Sequence, residues 1–235
     1  MILQEIILAR AIRFVPLSRL ARGYVPDTAA LMRERYKFVH IPESPDQILA
    51  EGYGPPTERR DGLLFAHGRL MHGEREIVID RFGFYPQLIA VDTPTGTEDS
   101  DLVIEDLLSD NPEIKAFAAH RRAYMSQLVV KLDVSLDAVF EATAEVGAGV
   151  ADMLAAYVDE EAPAPPLQAL SFAMGTDKRV LPCAFRIERR LNTSFEADLY
   201  FSEAPLSSSD HADALGKFEQ SLLRVLRRGG SSGAG

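Results

Sequence analysis

Four residues in the first half carry the side chains that a hydrolytic metal centre would use: His67, His72, Asp80 and Asp92. Imidazoles and carboxylates are suitable ligands for a divalent ion that activates water, so a metal-dependent hydrolase or nuclease is the catalytic reading of this stretch. Their spacing argues against it. The chain contains no HxH, HExxH or HxxxH, and its single cysteine, Cys183, excludes both a CxxC motif and an intramolecular disulfide. We therefore expect no metal and no cofactor. His40, His120 and His211 fall in separate segments and extend no ligand set.

A second candidate is DTPTGTEDSDLVIEDLL, residues 92–108, where Glu98, Asp99, Asp101, Glu105 and Asp106 crowd together beside a Thr/Gly-rich loop. A calcium loop needs alternating oxygen ligands followed by a distal glutamate, and DSD followed by LVI lacks that spacing. Helical spacing instead puts Glu98, Asp101 and Glu105 on one stripe, and Val103, Ile104, Leu107 and Leu108 on the other side. We expect a helix over 97–109 with those three acids facing solvent. The stretch also lacks nucleophile-elbow, phosphate-loop, dinucleotide and kinase signatures, as does the rest of the chain.

Two charge patterns point to contacts with other macromolecules. Residues 1–24 hold Arg10, Arg13, Arg19 and Arg22 against the one acid Glu5, in a chain whose formal net charge is −10. Further on, Arg186, Glu188 and Arg190 alternate along one face of an expected strand, with Glu196 and Asp198 placed opposite across an Asn192–Thr193 turn. These seven residues, Arg10 to Arg22 and Arg186 to Arg190, form the expected partner-binding set. The leading functional expectation is a protein–protein interaction module or accessory subunit that self-associates. A net charge of −10 disfavours nucleic acid as the partner. A lone cysteine and the absence of a long apolar run place the protein in the cytoplasm with no membrane span. A small-molecule module, with a pocket beside Gly147 and Gly149, is the remaining alternative.

Positioning these residues requires strands and helices, and the sequence marks most of them. IILARAIRFVPL alternates as a buried strand, and a short helix capped at Asp27 or Thr28 should precede a strand in YKFVHI. Strands are expected in GLLFAHGRLM, IVIDRF and FYPQLIAVD, interrupted at Gly83 and Pro86. The acidic helix, a second helix over 112–124, and a strand SQLVVKLDV come next. A long helix over 135–157 ends at the proline-rich connector 159–167. LQALSFAM, PCAFRIERRL and SFEADLYF then read as strands before a final helix with His211, Leu215, Phe218, Leu222 and Val225 on one face. The fold class is α+β, a mainly antiparallel sheet with helices on one face, an order that admits two similar strand-then-helix halves. Residues 1–228 read as one domain, with a conceivable subdivision near 159–167, and 229–235 as a flexible tail.

Overall fold

The computed structural model describes residues 1–15, 26–41, 63–85, 87–109, 122–137, 139–140, 169–173, 184–190 and 197–230. Eight strands are present: β1 (Ile2–Phe14), β2 (Leu63–His72), β3 (Arg75–Tyr85), β4 (Leu88–Thr93), β5 (Arg122–Lys131), β6 (Ala169–Ala173), β7 (Ala184–Arg189) and β8 (Leu199–Ala204). They form one sheet in the order β2-β3-β4-β1-β5-β8-β7-β6, and every neighbouring pair is antiparallel. Three helices accompany it among the described residues: α1 (Pro26–Glu34), α2 (Thr97–Leu108) and α3 (Ser208–Gly230). α2 lies on β4 and β1, whereas α3 lies on β5 and β1. The strands on either side of the 159–167 connector thus belong to one continuous sheet.

Alternation in β1 explains its central place. Ala9, Ala11 and Val15 are buried on the helix-bearing face, and Arg13 shares that face as a charge enclosed in the core. The small side chains of Ala9 and Ala11 let α2 approach closely, and the Ser100 hydroxyl donates to the Ala9 carbonyl at 2.7 Å. One apolar cluster joins Phe65, Ile79, Phe82, Ile89 and Val91 to Val103, Ile104 and Leu108 of α2 and Met32 of α1. A second joins Leu128, Val130, Ile187 and Tyr200 to Leu215 of α3. Each such side chain contributes about 1.5–3 kcal/mol on burial, which anchors both helices.

Several elements depart from the sequence reading. YKFVHI is not a strand: after α1, Val39 and His40 donate backbone hydrogen bonds to His67 and Ala66 and make only an isolated bridge on the outer edge of β2. That close approach requires Gly68, since a Cβ there would stand 2.5 Å from the Phe38 ring. β3 continues through Gly83, which pairs with Leu64 and Ala90, and turns only after Tyr85. Tyr124, expected to end a helix, pairs with Ala11 inside β5. β8 starts at Leu199, so the strand lies later than SFEADLYF implied, and Arg186 pairs with Glu203 instead of Glu196 or Asp198. The remainder of the 112–124 helix, the 141–157 segment with Gly147 and Gly149 and the Asn192–Thr193 turn lie outside the described residues, as do residues 231–235 of the expected tail 229–235, whose first two glycines instead belong to α3.

Candidate functional site

The catalytic alternative can be placed residue by residue. His67 has a left-handed backbone, φ 58°, at a point where the inward alternation of β2 slips from Phe65 to Gly68. Facing it, the alternation of β3 slips from Ile79 to Phe82 around Asp80. The same irregularity brings the His67 and His40 rings to 5.4 Å. Burial, then the neighbouring Asp92 charge, pushes the Asp80 carboxyl above its usual range, while His67 and Arg81 oppose the rise. Asp92 itself accepts two hydrogen bonds from Arg10, at 2.6 and 2.8 Å. His72 sits apart, paired with Arg75 at the hairpin turn. Among the described residues no group of three or more His, Cys, Asp or Glu side chains is arranged to hold a metal ion. Asp80 therefore lies near enough to feel both His67 and Asp92, whereas His72 stands apart at the turn.

The acidic stretch is a helix, as expected, but its acids are not a solvated stripe. Asp101 holds Arg13, whose side chain has 0% exposure, and also accepts from the Tyr124 hydroxyl at 2.8 Å. Asp106 accepts from Arg35 and from the Tyr36 hydroxyl, both at 2.8 Å, and buried Asp99 is paired with Arg75. Glu98 alone is exposed, and it reaches α3 by accepting from Ser208 and Ser209. Burial raises the Glu98 carboxyl, but the hydrogen bonds of its own backbone N–H, Ser209, Ser208 and Thr97 outweigh it and hold the group below its usual range. The stretch is a clamp that fastens α2 to β1, β3, β5 and α1. Its signal was invisible in the sequence because every partner is remote in the chain.

A buried polar network occupies the other helix. His211, with 0% exposure, lies between the Ser126 and Ser202 hydroxyls, 2.8 Å from Nδ1 and 2.8 Å from Nε2. Each serine is also within hydrogen-bond reach of a carbonyl, Ser126 of Leu206 at 3.0 Å and Ser202 of Arg186 at 2.7 Å. Burial pushes the imidazole down to about 4, so the ring is neutral and has one N–H for two serines. One hydroxyl must then turn toward the ring. All three side chains are fully buried, so this Ser–His–Ser arrangement offers no nucleophile to a substrate.

The partner-binding set divides in the same way. Arg13 is enclosed, Arg10 is bound to Asp92, and Arg19 and Arg22 lie outside the described residues. On the sheet face away from α3, Arg186 pairs with Glu188 on its own strand, and Arg190 pairs with Glu5 at 3.0 Å. A surface missed by the charge patterns lies at the end of α3. Its inward stripe runs from Leu215, fully buried, through Phe218 and Leu222, to Val225 and Leu226, which are 65% and 39% exposed. Phe172 on the edge strand β6 is 50% exposed, with its ring 6.1 Å from that of Phe218. The chain matches no family model, no curated protein and no solved structure in comparisons with known proteins.

Proposed function

We propose that this protein acts by association, and that its first partner is a second copy of itself, docked through the end of α3 and the edge strand β6. The observation that carries the reading is the continuation of α3's apolar stripe beyond its cover, from buried Leu215 through Phe218, which meets exposed Phe172 of β6, to exposed Val225 and Leu226. The charge along the same helix supports a self-complementary contact. Its first half carries Asp210 and Asp213, and its last turns carry exposed Arg224 and Arg227. Two copies laid antiparallel bring the basic end of one against the acidic half of the other, as a two-fold interface requires. The buried polar groups support the same reading, since Arg13, Asp99 and His211 are engaged inside the chain and present nothing to a substrate.

The test is light scattering after size exclusion on wild type and on the Val225→Glu, Leu226→Glu variant. Two carboxylates there should abolish association while the circular dichroism spectrum stays unchanged, because both side chains are exposed in a single copy. A variant that assembles as the wild type does would remove this surface from consideration. We take the cytoplasm as the setting, on the strength of the single cysteine.

We also propose that the sheet is built from two similar halves. What supports it is the strand order, in which β2-β3-β4-β1 meets β5-β8-β7-β6 so that β1 and β5 adjoin and each half ends in a helix, α2 or α3. The reciprocal contact at the two helix starts supports it further: the Thr97 N–H donates to Ser208 Oγ at 3.0 Å and the Ser208 N–H to Thr97 Oγ1 at 2.9 Å.

A further inference from the structure

A cavity of about 300 Å³ opens at the other edge of the sheet, where α1 ends beside β2. Three cations meet there, Arg35, Lys37 and Arg69, over Leu70 and Met71, with Glu76 and Asp106 as the acids among the described residues of its wall. In a chain of net charge −10, this wall carries one more cation than acids among its described residues. Arg35 is held by Asp106, but Arg69 and Glu76 form an ion pair at 3.2 Å with side chains 67% and 45% exposed. An exposed pair of this kind contributes little, so Arg69 can turn to an incoming anion at small cost.

Lys37 is the unusual member. Its φ of 51° puts it in the left-handed region, where glycine would relieve the strain. The turn it makes is useful, since Phe38 N–H bonds back to the Met32 carbonyl at 3.3 Å and Phe38 enters the core. The turn does not need an ammonium group, though, and among the described residues Lys37's takes part in no ion pair or hydrogen bond.

The backbone beside it is also available. β2 and β3 join through a two-residue turn closed by the His72–Arg75 pair, so Arg69 and Met71, at alternate positions, direct N–H and C=O to the outer edge. Arg69 meets a partner there, its N–H donating to the Tyr36 carbonyl at 2.6 Å. The segment 36–40 covers the edge up to that point and no further, and among the described residues nothing pairs with the outward groups of Met71, whose side chain is 60% exposed.

We propose that this cavity binds an acidic, extended peptide of a partner protein. One residue of the peptide, through its own N–H and C=O, pairs with both outward backbone groups of Met71, and a flanking carboxylate takes Lys37, with Arg69 as second cation. A simple anion would use the cations and leave the Met71 carbonyl unpaired; a peptide satisfies both, which favours the peptide. The site lies at the β2 edge and the self-association surface at the β6 edge, so each stands or falls without the other.

Amide NMR titration of the full chain with Ac-Asp-Val-Asp-Val-NH2 tests it, with Ac-Asn-Val-Asn-Val-NH2 and inorganic phosphate as comparison probes. The acidic peptide should shift the amides of Lys37, Arg69 and Met71. Lys37→Gly should weaken it on the order of tenfold, as loss of one charge-assisted contact does, with an unchanged or higher melting temperature, while Lys37→Arg retains binding. Equal binding of the Asn peptide, equal binding to the Lys37→Gly variant, or phosphate reproducing every shift while the peptide leaves Met71 unmoved would each overturn the proposal.

Discussion

Arg13 and His211 show how individual residues decide whether this fold holds. Arg13 has no exposure and Asp101 is its carboxylate, so Asp101→Ala leaves a buried guanidinium unneutralised, with its Nε already lacking a partner. That change should cost about 3 kcal/mol or more in urea unfolding, whereas Glu98→Gln, at an exposed site, should cost less than about 1 kcal/mol. His211 gives a pH signature. Its folded value of about 4 lies below its unfolded value of 6.5, so between those limits the unfolded chain binds the extra proton. Stability therefore falls as pH drops from 6.5 toward 4, by on the order of 3 kcal/mol for this group, and changes no further below. In His211→Phe that contribution should vanish, with both serines then free to donate to the Leu206 and Arg186 carbonyls; unfolding curves of the two proteins at pH 7 and pH 4.5 measure the difference.

At the scale of elements, α2 and α3 depend on each other to begin. Gly96 at the start of α2 has no side chain to cap with, and Ser208 of α3 supplies the missing oxygen to the Thr97 N–H. α3 caps itself locally, with Ser207 Oγ accepting from the Asp210 N–H at 3.1 Å. Ser208→Ala and Thr97→Val should each lose about 1 kcal/mol, and the double variant should lose measurably less than the sum, because each single change already breaks the hydrogen bond between the two hydroxyls, 3.1 Å apart. Local pattern made much of this legible: the alternation of β1, the hairpin of β2 and β3, the span of α2 and the inward stripe of α3 all follow from periodicity and turn residues. What it could not carry were contacts between distant segments. Arg13 read as a surface charge because nothing near it in sequence shows Asp101, and β8 was misplaced because SFEADLYF alternates as plausibly as LYFSEA, the segment that pairs with β5 and β7.

As a whole molecule, the chain is an eight-stranded antiparallel sheet with two helices packed on it, and its two outer strands differ in how they are closed. β2 is bridged along part of its edge by residues 36–40, whereas β6 ends the sheet with exposed Phe172 against Phe218 of α3, whose last turns leave Val225 and Leu226 exposed. An edge strand flanked by apolar surface is a site that proteins either protect or pair, and here the neighbouring charges, acidic then basic along α3, favour pairing with an identical copy. The interface should then carry an electrostatic component that salt weakens, on top of an apolar one that it does not. Sedimentation equilibrium of the wild-type chain, from low to high micromolar concentration, tests this account most directly. It predicts a reversible monomer–dimer equilibrium that Val225→Glu with Leu226→Glu shifts wholly to monomer; a wild type that sediments as a monomer across that whole range would contradict it.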